Sequence, residues 1–351
     1  MSKTVTTSRP ISVDEIVSDV RERGDAALRY WSETFDGVEG APSRARAYGD
    51  IPTQAIVDSA AAVRRWHAAQ RPSDLTLEVN PGVVLERRWV PLDSVGLYVP
   101  RGLVSSLIMS AVPAQVAGVR RIVVCTPPEG SEAVAAAAAL LGIEEVWALG
   151  GAQAIAAMAY GTESLAPVDK IFGPGGGAVN AAKLLVSRDV AIDLPAGPSE
   201  VVVAADEGFD ERIVAQECAA QMEHGPDSKA HVVWVGDDLD AALEAIDGYA
   251  AEHVALLGPR AESLATRIRH AGAIFVGPYS PVPAGDYATG GNHVLPTGGW
   301  ARSTGGLGLE AFMKPLTIQR VTKEGLERIA PTIEALADIE GMPQHKATAR
   351  R

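Results

Sequence analysis

Two cysteines in 351 residues leave no room for a disulfide framework or a cysteine-rich metal site. Cys125 lies in the apolar run Ile122-Val123-Val124-Cys125 and Cys218 in a helical pattern, so both read as small core residues in a reducing compartment. Aromatic residues make up 5%, too few for the stacking platforms that bind single-stranded nucleic acid. Positive charge is also scarce: 31 Lys and Arg face 44 Asp and Glu, and the net charge of −13 repels a phosphate backbone. The most apolar stretch, near Ala133 to Leu141, is too short to cross a bilayer, and Met1 to Pro10 lack the apolar core of a signal peptide. These deficits argue against nucleic acid and membrane as partners and for a cytoplasmic location. What remains is an ordinary globular composition, 47% hydrophobic and 21% charged, in a chain too long for one core.

Residues 11–35 carry a helical pattern with Ser12 as cap and Ile16, Val20, Ala27 and Tyr30 on one face; a second helix is expected over 53–70. From Ser94 onward short apolar runs alternate with Ala-rich helical runs. Strands are predicted at 95–99, 121–126, 145–149 and 168–172, with helices at 105–119, 131–141 and 152–160 between them. A second series follows, with strands at 200–205, 231–236, 254–257 and 273–277 and helices at 211–224, 239–251 and 261–270. Such alternation predicts an α/β fold: two doubly wound, Rossmann-like domains with parallel sheets, plus short helical segments at both ends. The expected domains are 1–94, a helical segment joining the second α/β domain; 95–199; 200–310; and 311–351, a helix and tail. Residues 278–311, rich in Gly, Pro, Ser and Thr, read as a long functional loop. A final helix is expected over 323–340, followed by a polar tail of the kind that is normally disordered.

Chemistry-bearing residues fall in four segments. Gln221 and His224 are three apart at the end of a predicted helix, hence on one face, and Gly225-Pro226 stops that helix. Glu252-His253 stands at a helix–strand junction and offers two bases of different strength. Asp286 and His293 lie in the Gly-rich loop, where Asp also serves as an ordinary turn former. Glu340 and His345 sit near the tail. Taken singly, each segment has a plain structural reading; taken together, they contain an N/O ligand set suited to a borderline divalent metal. His67, His231 and His270 are assigned structural roles. Gly150-Gly151-Ala152 and Gly173-Pro174-Gly175 each follow a strand and open a helix, as pyrophosphate sites do, yet neither is the G-x-G-x-x-G fingerprint and neither has an obvious acidic partner for a ribose.

Several longer segments carry a family resemblance. Gly96-Leu97-Tyr98-Val99-Pro100, Gly150 to Ala156, Tyr160 to Glu163, Val168 to Gly175, Ala196 to Val201, Gln221 to Ser228, Glu252-His253, Gly285 to Thr297, and Glu340 with His345 resemble histidinol dehydrogenases, in order along nearly the whole chain. The resemblance implies oxidation of L-histidinol to L-histidine through an aldehyde with two NAD. It implies zinc held by Gln221, His224, Asp286 and His345, anchoring the substrate. It implies His253 as the base for the alcohol proton and Glu252 as the activator of water on the aldehyde. Substrate would be held by Ser199, His293 and Glu340 together with His253 and the zinc ligands. NAD would contact Tyr98, Gln153 and the position of Gly176, where the family usually has Asn. In the family the chain ends interlock two subunits, so a homodimer sharing tails is expected. The rival readings are a sister zinc and NAD dehydrogenase acting on another small polar alcohol, such as a sulfonated propanediol, and a non-catalytic metal- or nucleotide-binding relative. Glu340, suited to an ammonium group, argues against the first, and Glu252-His253 against the second.

Overall fold

The computed structural model describes residues 11–40, 42–194 and 197–350. Met1 to Pro10, read above for a signal peptide, and Ala196 of the Ala196 to Val201 motif lie outside them. The chain opens with helices α1 (Val13–Arg23), α2 (Asp25–Asp36) and α3 (Thr53–Ala68), then strands β1 (Leu75–Asn80) and β2 (Val83–Pro91). A first alternating series follows: β3 (Ser94–Tyr98), α4 (Val104–Ala117), β4 (Arg121–Thr126), α5 (Ser131–Leu140), β5 (Glu145–Ala148), α6 (Gly151–Tyr160), β6 (Lys170–Phe172), α7 (Gly177–Val186) and β7 (Ala191–Ile192). The second series is β8 (Glu200–Asp206), α8 (Glu211–Met222), β9 (Lys229–Val235), α9 (Leu239–Tyr249), β10 (His253–Leu257), α10 (Pro259–Ser263), β11 (Ala273–Val276) and α11 (Val282–Tyr287). Strand β12 (Met313–Val321) and helices α12 (Lys323–Ile339) and α13 (Pro343–Thr348) complete the chain.

Contacts divide the chain into two compact units. The larger comprises the residues up to Gln70 and Leu92–Phe312; the smaller comprises Arg71–Pro91 and the residues from Met313 onward. The larger unit holds two parallel sheets, ordered β5-β4-β3-β6-β7 and β11-β10-β8-β9. In each, the first strand in sequence lies inside the sheet and the order reverses beside it, which is the doubly wound arrangement. The continuous apolar runs explain this: Val201, Val202, Val203, Ala204 and Ala205 of β8, and all five residues of β10, are buried, as strands covered on both faces must be. Each fully buried Val or Leu contributes roughly 1.5–3 kcal/mol.

Where the structure departs from the sequence-based expectation, local chemistry gives the reason. The helix expected over 11–35 is two helices, broken at Gly24; Ser12 caps the first through a capping box with Glu15. The helix expected over 261–270 extends only through Pro259–Ser263, with Pro259 in its first turn. The loop 278–311 contains the short helix α11. Sequence periodicity did not anticipate the antiparallel sheet β1-β2-β12 of the smaller unit. Every residue of β1 is exposed, and β2 carries Glu86, Arg87 and Arg88 at its centre, so there is no alternating apolar signal to read. Pro315 is tolerated in β12 because that strand is an edge. Residues 343–348 of the tail, expected to be disordered, form α13, fastened to α12 by Lys346–Asp338 at 2.6 Å, while the adjoining Arg350 pairs with Glu334 at 2.6 Å. Among the described residues no helix is long and apolar enough to cross a membrane.

Candidate active site

His253 opens β10 with Glu252 immediately before it, beside Glu200 at the start of β8 and Ser199 just ahead of it. They therefore stand at the amino ends of the second sheet's strands, opposite to the carboxyl ends where doubly wound sheets usually bind ligands. Both side chains are buried. Ser199 Oγ donates to Glu252 Oε2, and the Glu200 N–H donates to the same oxygen at 3.0 Å. Burial pushes the Glu252 carboxyl up to about 7 in spite of these two donors, and the Asp286 carboxylate adds to the rise. Burial drives His253 the other way, down to about 4, with His224 and His293 nearby adding to the fall. His253 Nδ1 lies 3.6 Å from Glu252 Oε2, and neither of its ring nitrogens makes a well-formed hydrogen bond. A neutral imidazole with free nitrogen is thus set beside a carboxyl that is poised to gain or lose a proton near neutrality.

Gln221, on the last turn of α8, is buried and donates through Nε2 to Ser199 Oγ at 2.7 Å. Its Oε1 is left buried without a hydrogen-bond partner, as an amide oxygen reserved for a metal would be. Asp286, buried on α11, has its carboxyl raised by burial and lowered by the nearby His224. His293 Nδ1 approaches Asp286 Oδ1 to 3.9 Å, and burial holds His293 down to about 4. Glu217, one turn before Gln221, accepts the Val282 N–H at 3.2 Å and so anchors α11, which carries Asp286. Phe275 packs closely against Gly285 of the same helix. The loop is tied down further by Gly197 N–H to Thr297 Oγ1 at 2.5 Å and Gly298 N–H to Glu200 Oε1 at 2.9 Å. His224 and Asp286 are ordinary zinc donors and Gln221 an uncommon one; among the described residues no three His, Cys, Asp or Glu side chains gather closely enough to hold a metal. Glu340, at the end of α12, and His345, on α13, are exposed residues of the smaller unit.

The coenzyme candidates occupy the carboxyl ends of the first sheet. Tyr98 ends β3, and its hydroxyl accepts the Gly151 N–H at 3.2 Å where α6 begins. Gln153, in the first turn of α6, is buried. Gly173, just past β6, has φ +116°, and a Cβ there would strike the Tyr98 carbonyl. That close turn is held by a buried ion pair: Lys183 contacts Asp193 and donates to the Gly173 carbonyl at 2.8 Å, while Asp193 Oδ2 accepts the Gly173 N–H at 2.7 Å. Gly176 caps α7 with φ −67° and ψ 178°, is exposed, and has open space where a Cβ would stand. Neither α6 nor α7 has a cap from its N-cap residue; the Gly151 N–H of α6 is taken by the Tyr98 hydroxyl, while the glycine-led start of α7 presents its N–H groups to an anion such as pyrophosphate. Sequence reasoning missed Lys183, Asp193 and Glu217, because nothing in their local patterns sets them apart from surface charge.

Known proteins resemble the chain over nearly all of its length. The family model described as histidinol dehydrogenase matches residues 2–239 and 228–351, two ranges that overlap at β9 and the start of α9. The histidinol dehydrogenase of Haloarcula marismortui is 43% identical over 392 residues, covering 97% of this chain and 92% of that protein. That alignment is longer than the chain's own 351 residues, so the relative carries residues with no counterpart here. The histidinol dehydrogenase of Methanothermobacter thermautotrophicus is 42% identical over 97% of this chain and 92% of its own length. The crystal structure of histidinol dehydrogenase from Elizabethkingia anophelis superposes with a TM-score of 0.89 at 33% identity, covering 97% of this chain and 93% of that one. A probable aldehyde dehydrogenase from Listeria monocytogenes, 13% identical with a TM-score of 0.52, shares the fold. The chain belongs to the histidinol dehydrogenase family.

Proposed function

We propose that this protein is an NAD-dependent dehydrogenase that oxidises L-histidinol to L-histidine through the aldehyde, removing four electrons with two NAD. The observation that carries the reading is the pair Glu252 and His253: adjacent, buried, and driven by burial in opposite directions, in a chain of this family. In the first oxidation the neutral His253 takes the hydroxyl proton from the carbinol; NAD, when bound, would supply the hydride acceptor for both oxidations. In the second, the Glu252 carboxylate takes a proton from the water that adds to the aldehyde carbon. Ser199 holds Glu252 in place for this step and, with His293 and Glu340, meets the polar groups of the substrate. Gln221, His224, Asp286 and His345 would hold zinc, which when bound supplies a Lewis-acidic anchor for the substrate's imidazole and amino nitrogens. Tyr98, Gln153 and the Gly176 turn receive the coenzyme. The working form we propose is a cytoplasmic homodimer in which each site borrows Glu340 and His345 from its partner.

The test follows NADH absorbance with purified protein, NAD and L-histidinol. Two NADH should form per histidine, chelation should abolish turnover, and zinc should restore it. Absence of NADH would overturn the reading, and full turnover in metal-free protein would overturn the zinc assignment.

A further inference from the structure

Doubly wound dinucleotide sites usually place an acidic residue on the adenosine ribose, about 20 residues after the glycine turn. After Gly151 the nearest candidate at that spacing is Asp169, but it lies just before β6, at the amino end of the sheet, where it accepts the Ser94 N–H and hydroxyl at 2.8 Å. Another carboxylate reaches the correct end from outside the alternating series. Asp36 is the last residue of α2, and its Oδ2 lies 3.5 Å from Gln153 Nε2, beside the Tyr98 hydroxyl that meets the start of α6.

By itself Asp36 is badly placed. It sits at a helix C-terminus, where the helix dipole disfavours an anion. It is half-buried, and the long amide contact is its one hydrogen bond among the described residues. Arg101, the cation nearest in influence, is paired with Glu129 at 2.7 Å. Burial accordingly raises the Asp36 carboxyl above its ordinary value. A carboxylate that is disfavoured by the dipole, partly desolvated and short of donors is one whose partners arrive with a ligand.

We infer that Asp36 is the residue that accepts the ribose hydroxyls of NAD, and that it discriminates against NADP by repelling a 2′-phosphate; this rests on the coenzyme reading above. The two hydroxyls supply the donors the carboxylate lacks, and the buried Gln153 and Tyr98 lie beside it. A phosphate ester in place of one hydroxyl removes a donor and brings like charge against a group whose neighbouring cation among the described residues, Arg101, is already paired with Glu129.

The experiment titrates NADH and NADPH into the whole protein by fluorescence, comparing wild type with Asp36→Asn and Asp36→Ala, and records the melting temperature of each. Wild type should bind NADH well above NADPH. Both variants should bind NADH about tenfold to a hundredfold more weakly, the loss expected for hydrogen bonds to a charged acceptor. NADPH binding should hold or improve, so the preference collapses, while the melting temperature does not fall. NADH binding within twofold of wild type would overturn the assignment, as would equal weakening of both coenzymes together with a lower melting temperature. Failure of the wild type itself to bind NADH would overturn the coenzyme reading, and this inference with it.

Discussion

Glu252→Gln should make the protein more stable above neutrality while crippling the second oxidation. Burial moves the carboxyl from its ordinary value of 4.5 to about 7, so the folded protein favours the protonated form. At about 1.4 kcal/mol for each tenfold change in proton affinity, holding the ionised carboxylate in place costs roughly 3 kcal/mol of folding stability. The sign follows from linkage: below pH 4.5 the group is protonated both folded and unfolded, and it costs nothing. The cost grows as pH rises from there to about 7 and is complete above it. Glutamine is isosteric with the neutral form, and its amide oxygen can still accept from Ser199 and the Glu200 N–H, but it never ionises. Urea denaturation of chelated protein should therefore show no more than a small difference at pH 4.5 and a gain of up to roughly 3 kcal/mol for the variant at pH 8. In parallel, oxidation of the aldehyde should fall by about 10² to 10⁴-fold, the usual effect of losing a general base, and oxidation of the alcohol by much less. A stability offset that is the same at both pH values, or small and equal losses in the two half-reactions, would refute the assignment of Glu252 as a strained, buried base.

Lys183→Met should destabilise the protein by about 3–5 kcal/mol, because it leaves Asp193 buried without its cation; adding Asp193→Leu should recover part of that loss in thermal denaturation, and no recovery would argue against the pair as the anchor of the Gly173 turn. Gly176→Asn should fold normally, since the position has extended backbone and open space, and should tighten NADH binding through a new side-chain contact to the coenzyme; weaker binding by titration would count against that role. Mixing inactive His253→Ala and His345→Ala proteins after reversible unfolding should restore activity if tails are exchanged between subunits, because hybrid dimers regain one intact site; no recovery would mean each chain completes its own.

Much of the fold could be read directly from the chain. Buried parallel strands are continuous apolar runs, so β4, β8 and β10 stand out at nearly their observed bounds, and Ala-rich helices between them fix the α/β class. The candidate residues were picked out by residue type alone: Gln221 with His224, Glu252 with His253, Asp286 with His293. The exposed sheet β1-β2-β12 was not, since strands with little burial carry no period.

The sequence alone thus determined which groups are available and which elements carry them, because propensity, patterning and residue chemistry are local properties. Tertiary structure decided their proton affinities and their company. Burial, a property of the packed fold, raises the proton affinity of Glu252 and lowers that of His253, two neighbours that the sequence alone leaves at their ordinary values. Packing leaves Gln221 Oε1 without a partner. Folding also brings Asp36, 117 residues away in sequence, to the rim beside Gln153, a juxtaposition that no local pattern encodes.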